Sequence, residues 1–243
     1  MDFPFLADTF LKLCGGIPLT LELSLLSCAI GAVLAICLAA MRLSKIKPLA
    51  YLAGAYVFVY RGTPLLVQIF LVYYGLGQFA PLRHSFMWPL LREPFWCAII
   101  ALSMNTGAYA SEIIRGGILS VPHGQIEAAR ACGMSRLTQF RRIVMPLAIR
   151  QALPAYGTEI ILMVKATSLA SIITLMEITG VAAEIISETY RVIEVFVIAG
   201  ALYLVINFVL TRIVQAIEHW LTPYNRSRPA LPIAAAVDAG EIV

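Results

Sequence analysis

Five apolar runs, at about residues 17–41, 49–79, 95–111, 153–176 and 195–217, constrain this chain more than any other feature. Crossing the hydrocarbon core of a bilayer takes about 20 apolar residues in a helix. The runs reach or approach that length, and none alternates apolar and polar residues with the period of two that a membrane β-barrel requires. In lipid every backbone amide and carbonyl must be satisfied internally, which leaves helices as the spanning element. Only 13% of the residues are charged, about half the share of a soluble domain. The fold class is therefore all-α: a polytopic membrane protein with five transmembrane helices and one long loop between spans three and four. A single transmembrane domain is expected over residues 1–222. The Pro- and Ala-rich tail at 223–243 is expected to be poorly ordered.

The first run is far longer than the 7–15-residue core of a secretory signal, and the residues before it include Asp2 and Asp8. It reads as a retained span. The connections after runs one and three, with the C-terminal end, hold Arg42, Lys45, Lys47, Arg115, Arg130, Arg136, Arg141, Arg142, Arg150, Arg212, Arg226 and Arg228. The opposite connections hold only Lys12, Arg83, Arg92 and Arg191. The positive-inside rule places the richer set in the cytoplasm, with the N-terminus outside and the C-terminus inside. A net charge of +4 distributed this way reports topology and gives no reason to expect nucleic acid. Cys14, Cys28, Cys37, Cys97 and Cys132 show no C-x-x-C spacing, and His84, His123 and His219 are isolated. Neither a disulfide framework nor a metal site is expected.

The loop at about 115–152 is polar, basic and helical in pattern. Glu127 stands early in a first helix over 125–132, where its charge suits the helix dipole. Gly133 fits a left-handed stop. Ser135 can cap a second helix, on which Leu137, Phe140 and Val144 form one apolar stripe beside arginines. Pro146 is expected to begin the return to the membrane. The stripe suits docking into a groove on a soluble protein, and it equally suits lying on an anionic lipid surface.

Charges inside spans are costly and tend to face protein or a water-filled cavity. Arg61, Glu159 and Lys165 are such charges. Arg61 precedes Gly62-Thr63-Pro64, where proline withdraws an amide and disfavours helix at Thr63. The break starts a new half-helix whose amide end favours an anion, a geometry by which broken membrane helices take a substrate carboxylate. Asn105, Tyr109 and Glu112 share a helical face, as a hydrogen-bonded seam or as a cavity lining. Glu112 can also meet Arg115 at i+3. Glu159 is expected to protonate or to find a cation: Arg61, Lys165 or the positive part of a substrate, with Lys165 set about 120° away round the helix.

The sequence resembles a known family at this point. Glu127-Ala128-Ala129, Gly133, Ile143 and Pro146 resemble the EAA loop of ABC transporter permeases, with Met145-Pro146 in place of the usual Leu-Pro. Arg61-Gly62-Thr63-Pro64, Asn105-Thr106 with Tyr109, Ser120-Val121-Pro122-His123-Gly124, Leu153-Pro154-Ala155-Tyr156 and Thr167-Ser168-Leu169-Ala170 resemble the polar amino acid branch. That branch includes histidine, lysine, arginine, glutamine and opine importers, and the chain is most similar to the M-type permeases of histidine or opine systems. The resemblance covers about residues 17–222. It implies a subunit of the bacterial inner membrane that pairs with a second permease, two cytoplasmic ATPase subunits and a periplasmic solute-binding protein. It further implies an ATPase-coupling set of Glu127, Ala128, Ala129, Gly133, Leu137, Phe140 and Pro146. The substrate-contact candidates are Arg61, Thr63, Asn105, Tyr109, Glu159 and Lys165. Thr158 and Ala166 stand where the family often has Asn and Asp, a departure that bears on specificity.

The chain contains no G-x-x-x-x-G-K-[ST], the loop that cradles nucleotide phosphates. ATP and Mg are therefore expected on the partner, and this chain is expected to be no enzyme. The alternatives are an ion-coupled secondary carrier working without an ATPase and a non-transporting scaffold.

Overall fold

The computed structural model describes residues 3–221. Among these residues the secondary structure is helical throughout, in nine principal helices: α1 (Phe3–Cys14), α2 (Ile17–Leu43), α3 (Lys47–Gly62), α4 (Leu65–Gln78), α5 (Pro94–Leu119), α6 (His123–Ala131), α7 (Arg136–Ile173), α8 (Ile178–Thr189) and α9 (Val192–Leu221). Four stretches are long and apolar enough to cross a membrane: α1 with α2, α5, α7 and α9. The pair α3 and α4, bent by 107° at its break, makes the fifth. The all-α, five-span expectation holds. The tail at 223–243 lies outside the described residues.

α2 and α5 form the centre of the bundle. They approach closely because small residues meet at their crossing. A Cβ on Gly31 would collide with the Thr106 methyl, and one on Gly107 would sit 2.8 Å from Leu34 Cδ2. In lipid there is little hydrophobic force between helices, so such close packing carries the association. α4 and α7 close around this pair, and Leu23, Ile69, Ile99, Leu102, Met163 and Ile173 fill the core between them. A second core joins α1, α8 and α9 through Leu13, Ile178, Ala182, Ile185, Val195 and Leu202. The outer face of α9 presents Val197, Leu204, Val205 and Phe208, as a lipid-facing span should.

The helices depart from the sequence expectation in four places. Residues 3–14 form a helix of their own. The third span runs on to Leu119, so Arg115 belongs to the helix and the loop starts later than 115. The second loop helix does not stop before the fourth span, because α7 is continuous from Arg136 to Ile173. It passes through a π turn at Phe140–Val144 and ends in a 3₁₀ segment at Thr167–Ile173. The π turn falls where Pro146 withdraws an amide, and the wider ring absorbs the loss without breaking the helix. Pro154, further along, is also accommodated inside α7. Finally, the acidic connection at 177–194 contains α8. Its Ile178, Ala182 and Ile185 face the core, while Glu184 and Glu188 point outward.

Candidate functional site

The break between α3 and α4 follows from proline chemistry. Thr63 is extended (φ −114°, ψ 146°), as steric conflict with the following proline ring requires, and Pro64 is extended too. Interrupting a helix frees carbonyls that membrane cannot hydrate. Gln68, buried on the first turn of α4, reaches back to them. Its Nε2 lies 2.9 Å from the Tyr60 carbonyl, 3.1 Å from the Thr63 carbonyl and 2.9 Å from Thr63 Oγ1. The Thr63 hydroxyl itself donates to the Val59 carbonyl at 2.8 Å. Asn105 on α5 donates to Gln68 Oε1 at 2.9 Å, which ties the break to the centre of the bundle. Asn105 thus belongs to a seam between α4 and α5. Gln68 was not singled out from the sequence. Its signal is a lone amide inside an apolar run, four residues after a helix-breaking proline.

Tyr109 and Glu112, on the same face of α5 as Asn105, each meet a different cation. The Arg61 guanidinium lies over the Tyr109 ring at 5.1 Å, a cation–π contact. Arg61 is otherwise exposed beside the break. Glu112 takes Arg115 Nη2 at 2.6 Å, as the i+3 spacing indicates, and also Arg42 Nη2 from α2 at 3.4 Å. Gly54 on α3 makes room for the Arg42 side chain, since a Cβ there would sit 2.7 Å from its Nη1.

Glu159 lies half-buried on α7. Its Oε1 accepts from Thr106 Oγ1 at 2.9 Å. Among the described residues it forms no ion pair with Arg61 or Lys165. Lys165 is exposed on another side of α7. The structure therefore groups Arg61, Tyr109, Asn105, Thr63 and Gln68 around the break, and sets Glu159 with Thr106 on the neighbouring face of α5. The Gly31 notch leaves space for the Thr106 side chain that holds Glu159.

The loop divides along a physical line. Gly133 adopts φ +74° with nothing near its α-carbon. The Gly133 amide donates to the Arg130 carbonyl and the Met134 amide to the Ala129 carbonyl, a left-handed helix stop. Ser135 caps the first turn of α7 by accepting from the Thr138 amide at 3.3 Å. Gln139 donates to the Ile126 carbonyl at 2.7 Å and pins α6 to α7. The apolar stripe is split. Val144 is buried with Val121 and Ala148, whereas Leu137 (66% exposed) and Phe140 (44% exposed) face outward. Ala129 is buried, and Glu127, Ala128 and Pro146 are exposed. A cleft of about 530 Å³ lies between α6 and α7, lined among others by Ala128, Cys132, Arg142 and Pro146.

One buried acid was missed from the sequence. Glu177 is fully buried at the amino end of α8, where its Oε1 accepts from the Gly180 amide at 2.9 Å and its Oε2 from Tyr203 Oη at 2.5 Å. It joins α8 to α9 and has no place in the cluster around the break. Among the described residues no group of three or more His, Cys, Asp or Glu could hold a metal ion.

Comparison with known proteins agrees with this architecture. Residues 31–223 match the family described as binding-protein-dependent transport system inner membrane component. The chain is 58% identical over 238 residues to the octopine transport system permease protein OccM of Rhizobium meliloti, covering 98% of this chain and 97% of that one. It is 41% identical to the histidine/lysine/arginine/ornithine transport system permease protein HisM of Escherichia coli K12, covering 85% and 87%. A crystal structure of an amino acid ABC transporter with histidines superposes with a TM-score of 0.81 at 36% identity, over 90% of this chain and 98% of that chain. The bent second span, the α2–α5 centre and the helical loop hung between spans three and four are thus those of a permease, and the chain belongs to the inner membrane component family of binding-protein-dependent transport systems.

Proposed function

We propose that this chain is the permease subunit of an ATP-driven importer that carries a polar, basic amino acid or an opine into the cytoplasm. The observation that carries the proposal is Glu159, a half-buried carboxylate in mid-span held by one hydroxyl, with no cation within ion-pair distance among the described residues. An ionised carboxylate in that setting favours a cation, and the positive end of a basic substrate is one. Arg61, exposed at the break and braced on Tyr109, is suited to the substrate carboxylate. Thr63 lies at the same break, and Lys165 lies further along α7. Relatives named for octopine and for histidine, lysine, arginine and ornithine support a substrate with both charges.

The exposed Leu137 and Phe140, with the cleft between α6 and α7, suit docking on a soluble ATPase. Glu127, Ala128, Ala129, Gly133 and Pro146 shape that surface. The arginines of the loop and of the ends of α2 and α5 beside it support a cytoplasmic position for this end, with the N-terminus outside. A second permease, two ATPase subunits carrying ATP and Mg, and a periplasmic binding protein complete the machine. The ATPase acts by contacting the loop differently in the outward- and inward-facing states.

The test is uptake by the complex reconstituted in liposomes, with a panel of arginine, histidine, glutamine and opines. Uptake should require the ATPase and ATP. Glu159→Gln should lower uptake of cationic substrates at least ~10-fold, the effect of losing about 1.4 kcal/mol, with a smaller effect on glutamine. Uptake by this chain alone, driven by an ion gradient, would overturn the ATP-driven reading. Unchanged arginine uptake by Glu159→Gln would remove the role given to that carboxylate.

A further inference from the structure

We infer that the cavity between the inner ends of α2, α3 and α5 binds the phosphate of one anionic phospholipid headgroup. The cavity has a volume of about 570 Å³ and opens to the surface. Arg42, Lys47 and Arg115 line it, with Ser44 and Tyr51. It lies apart from the cleft between α6 and α7, and Arg42 divides it from the space beside Arg61 and Gly62.

Three observations define its chemistry. The first is charge. Arg42 and Arg115 share the single carboxylate of Glu112. Lys47 is exposed and, among the described residues, has no carboxylate within ion-pair distance. Three cations against one anion leave the walls positive, and among the described residues no group fills the space between them. The second is the backbone. α3 begins at Lys47 with no side-chain cap and with Pro48 in its first turn, so the positive end of a 16-residue helix dipole adds to the same field. The third is the rim. Leu43, Ile46, Leu52 and Leu119, at or beside the mouth, are 37%, 62%, 65% and 59% exposed, and Tyr51 is 76% exposed. A free phosphate has no use for an apolar rim. A phosphate carrying two acyl chains does, because its chains can run along the exposed Tyr51, Leu52 and Phe58 face of α3 while the headgroup sits among the cations. Basic pockets between spans at the cytoplasmic side are a recognised setting for such headgroups. A volume of this order suits a small polar ligand.

The proposal rests on the chain spanning a membrane and is independent of which solute it carries. It is tested with the complex purified in mild detergent through a tag on this chain, then exchanged into nanodiscs of phosphatidylcholine with a graded share of phosphatidylglycerol. Native mass spectrometry of the detergent-purified complex should show phosphatidylglycerol retained. Lys47→Gln should weaken that retention about 5-fold, the value of one cation near a lipid surface, and Lys47→Glu should weaken it further. Lys47→Arg should restore it. Lys47→Gln and Lys47→Arg add no carboxylate that could compete with Glu112 for Arg42 and Arg115, and matching elution profiles with the parent confirm intact complexes. Equal retention by parent and Lys47→Glu would overturn the site. Displacement of the lipid by millimolar inorganic phosphate would assign the cavity to free phosphate and overturn the lipid. Loss of transport with lipid retention intact would count against the importer reading alone.

Discussion

The break in the second span and the loop at the inner end of the bundle are both interruptions of helix, and they resolve their polar groups in opposite ways. At the break, Gln68 gathers the freed carbonyls and Asn105 holds Gln68, while on the neighbouring face of α5 Thr106 holds Glu159. Each bond reaches across a helix boundary or to another helix, because no water is available in lipid to do it instead. In the loop, one glutamine and a left-handed turn suffice, and the charged side chains are left to water. The apolar groups are exposed in both places, in different settings. Around the break Phe58, Val59, Val67 and Leu71 face outward within apolar runs, while in the loop Leu137 and Phe140 face outward among arginines. The polar groups freed inside the bundle are closed by the chain itself, whereas the loop leaves Leu137 and Phe140 exposed among charges, the surface on which the proposed docking rests.

Five substitutions would break or sharpen that contrast. The largest effect is expected from Gly31→Ile. Its side chain would drive α2 away from Thr106, an overpacking cost of about 3 kcal/mol or more that also pushes Thr106 off Glu159. Little intact complex should elute on size exclusion. Gln68→Leu comes next. It strands the Thr63 carbonyl and leaves the Tyr60 carbonyl and the Asn105 amide only their 3.5 Å contact with each other, at about 2–3 kcal/mol, read as a lower midpoint of thermal unfolding in detergent. Adding Asn105→Leu should cost less than the sum of the two single changes, since the pair shares a bond. Fully additive costs would mean that the seam is not a unit.

Phe140→Ala is expected to leave stability within about 0.5 kcal/mol, as an exposed side chain should. ATP-driven uptake should nevertheless fall about 10–30-fold if this ring is a docking anchor. A matching loss of thermal stability would place Phe140 in the fold and not at an interface. The smallest effect belongs to Gly133→Ala. The left-handed backbone costs a Cβ-bearing residue about 1 kcal/mol. Hydrogen exchange should quicken across α6 and the start of α7, with α2 and α5 unchanged.

Much of this was legible in the sequence, and the reasons differ from place to place. The spans were readable because lipid demands long apolar runs. The break at Pro64, the stop at Gly133 and the pair Glu112–Arg115 were readable because each depends on residues within a turn of one another. Gln68 was visible only as an isolated polar residue, since its partners are made by a 107° bend. Glu177 read as the start of an acidic connection because its partner Tyr203 lies 26 positions away. The loop helix and the fourth span read as two elements because Pro146 usually ends a helix. Here a π turn carries the chain past it.

That continuity makes α7 a lever. From Arg136 to Glu159 it spans about 35 Å at 1.5 Å per residue. A tilt of about 5° at the loop would move the Glu159 end by about 3 Å on that length, roughly one hydrogen bond. Motion delivered at the surface would then reach the carboxylate through one rod.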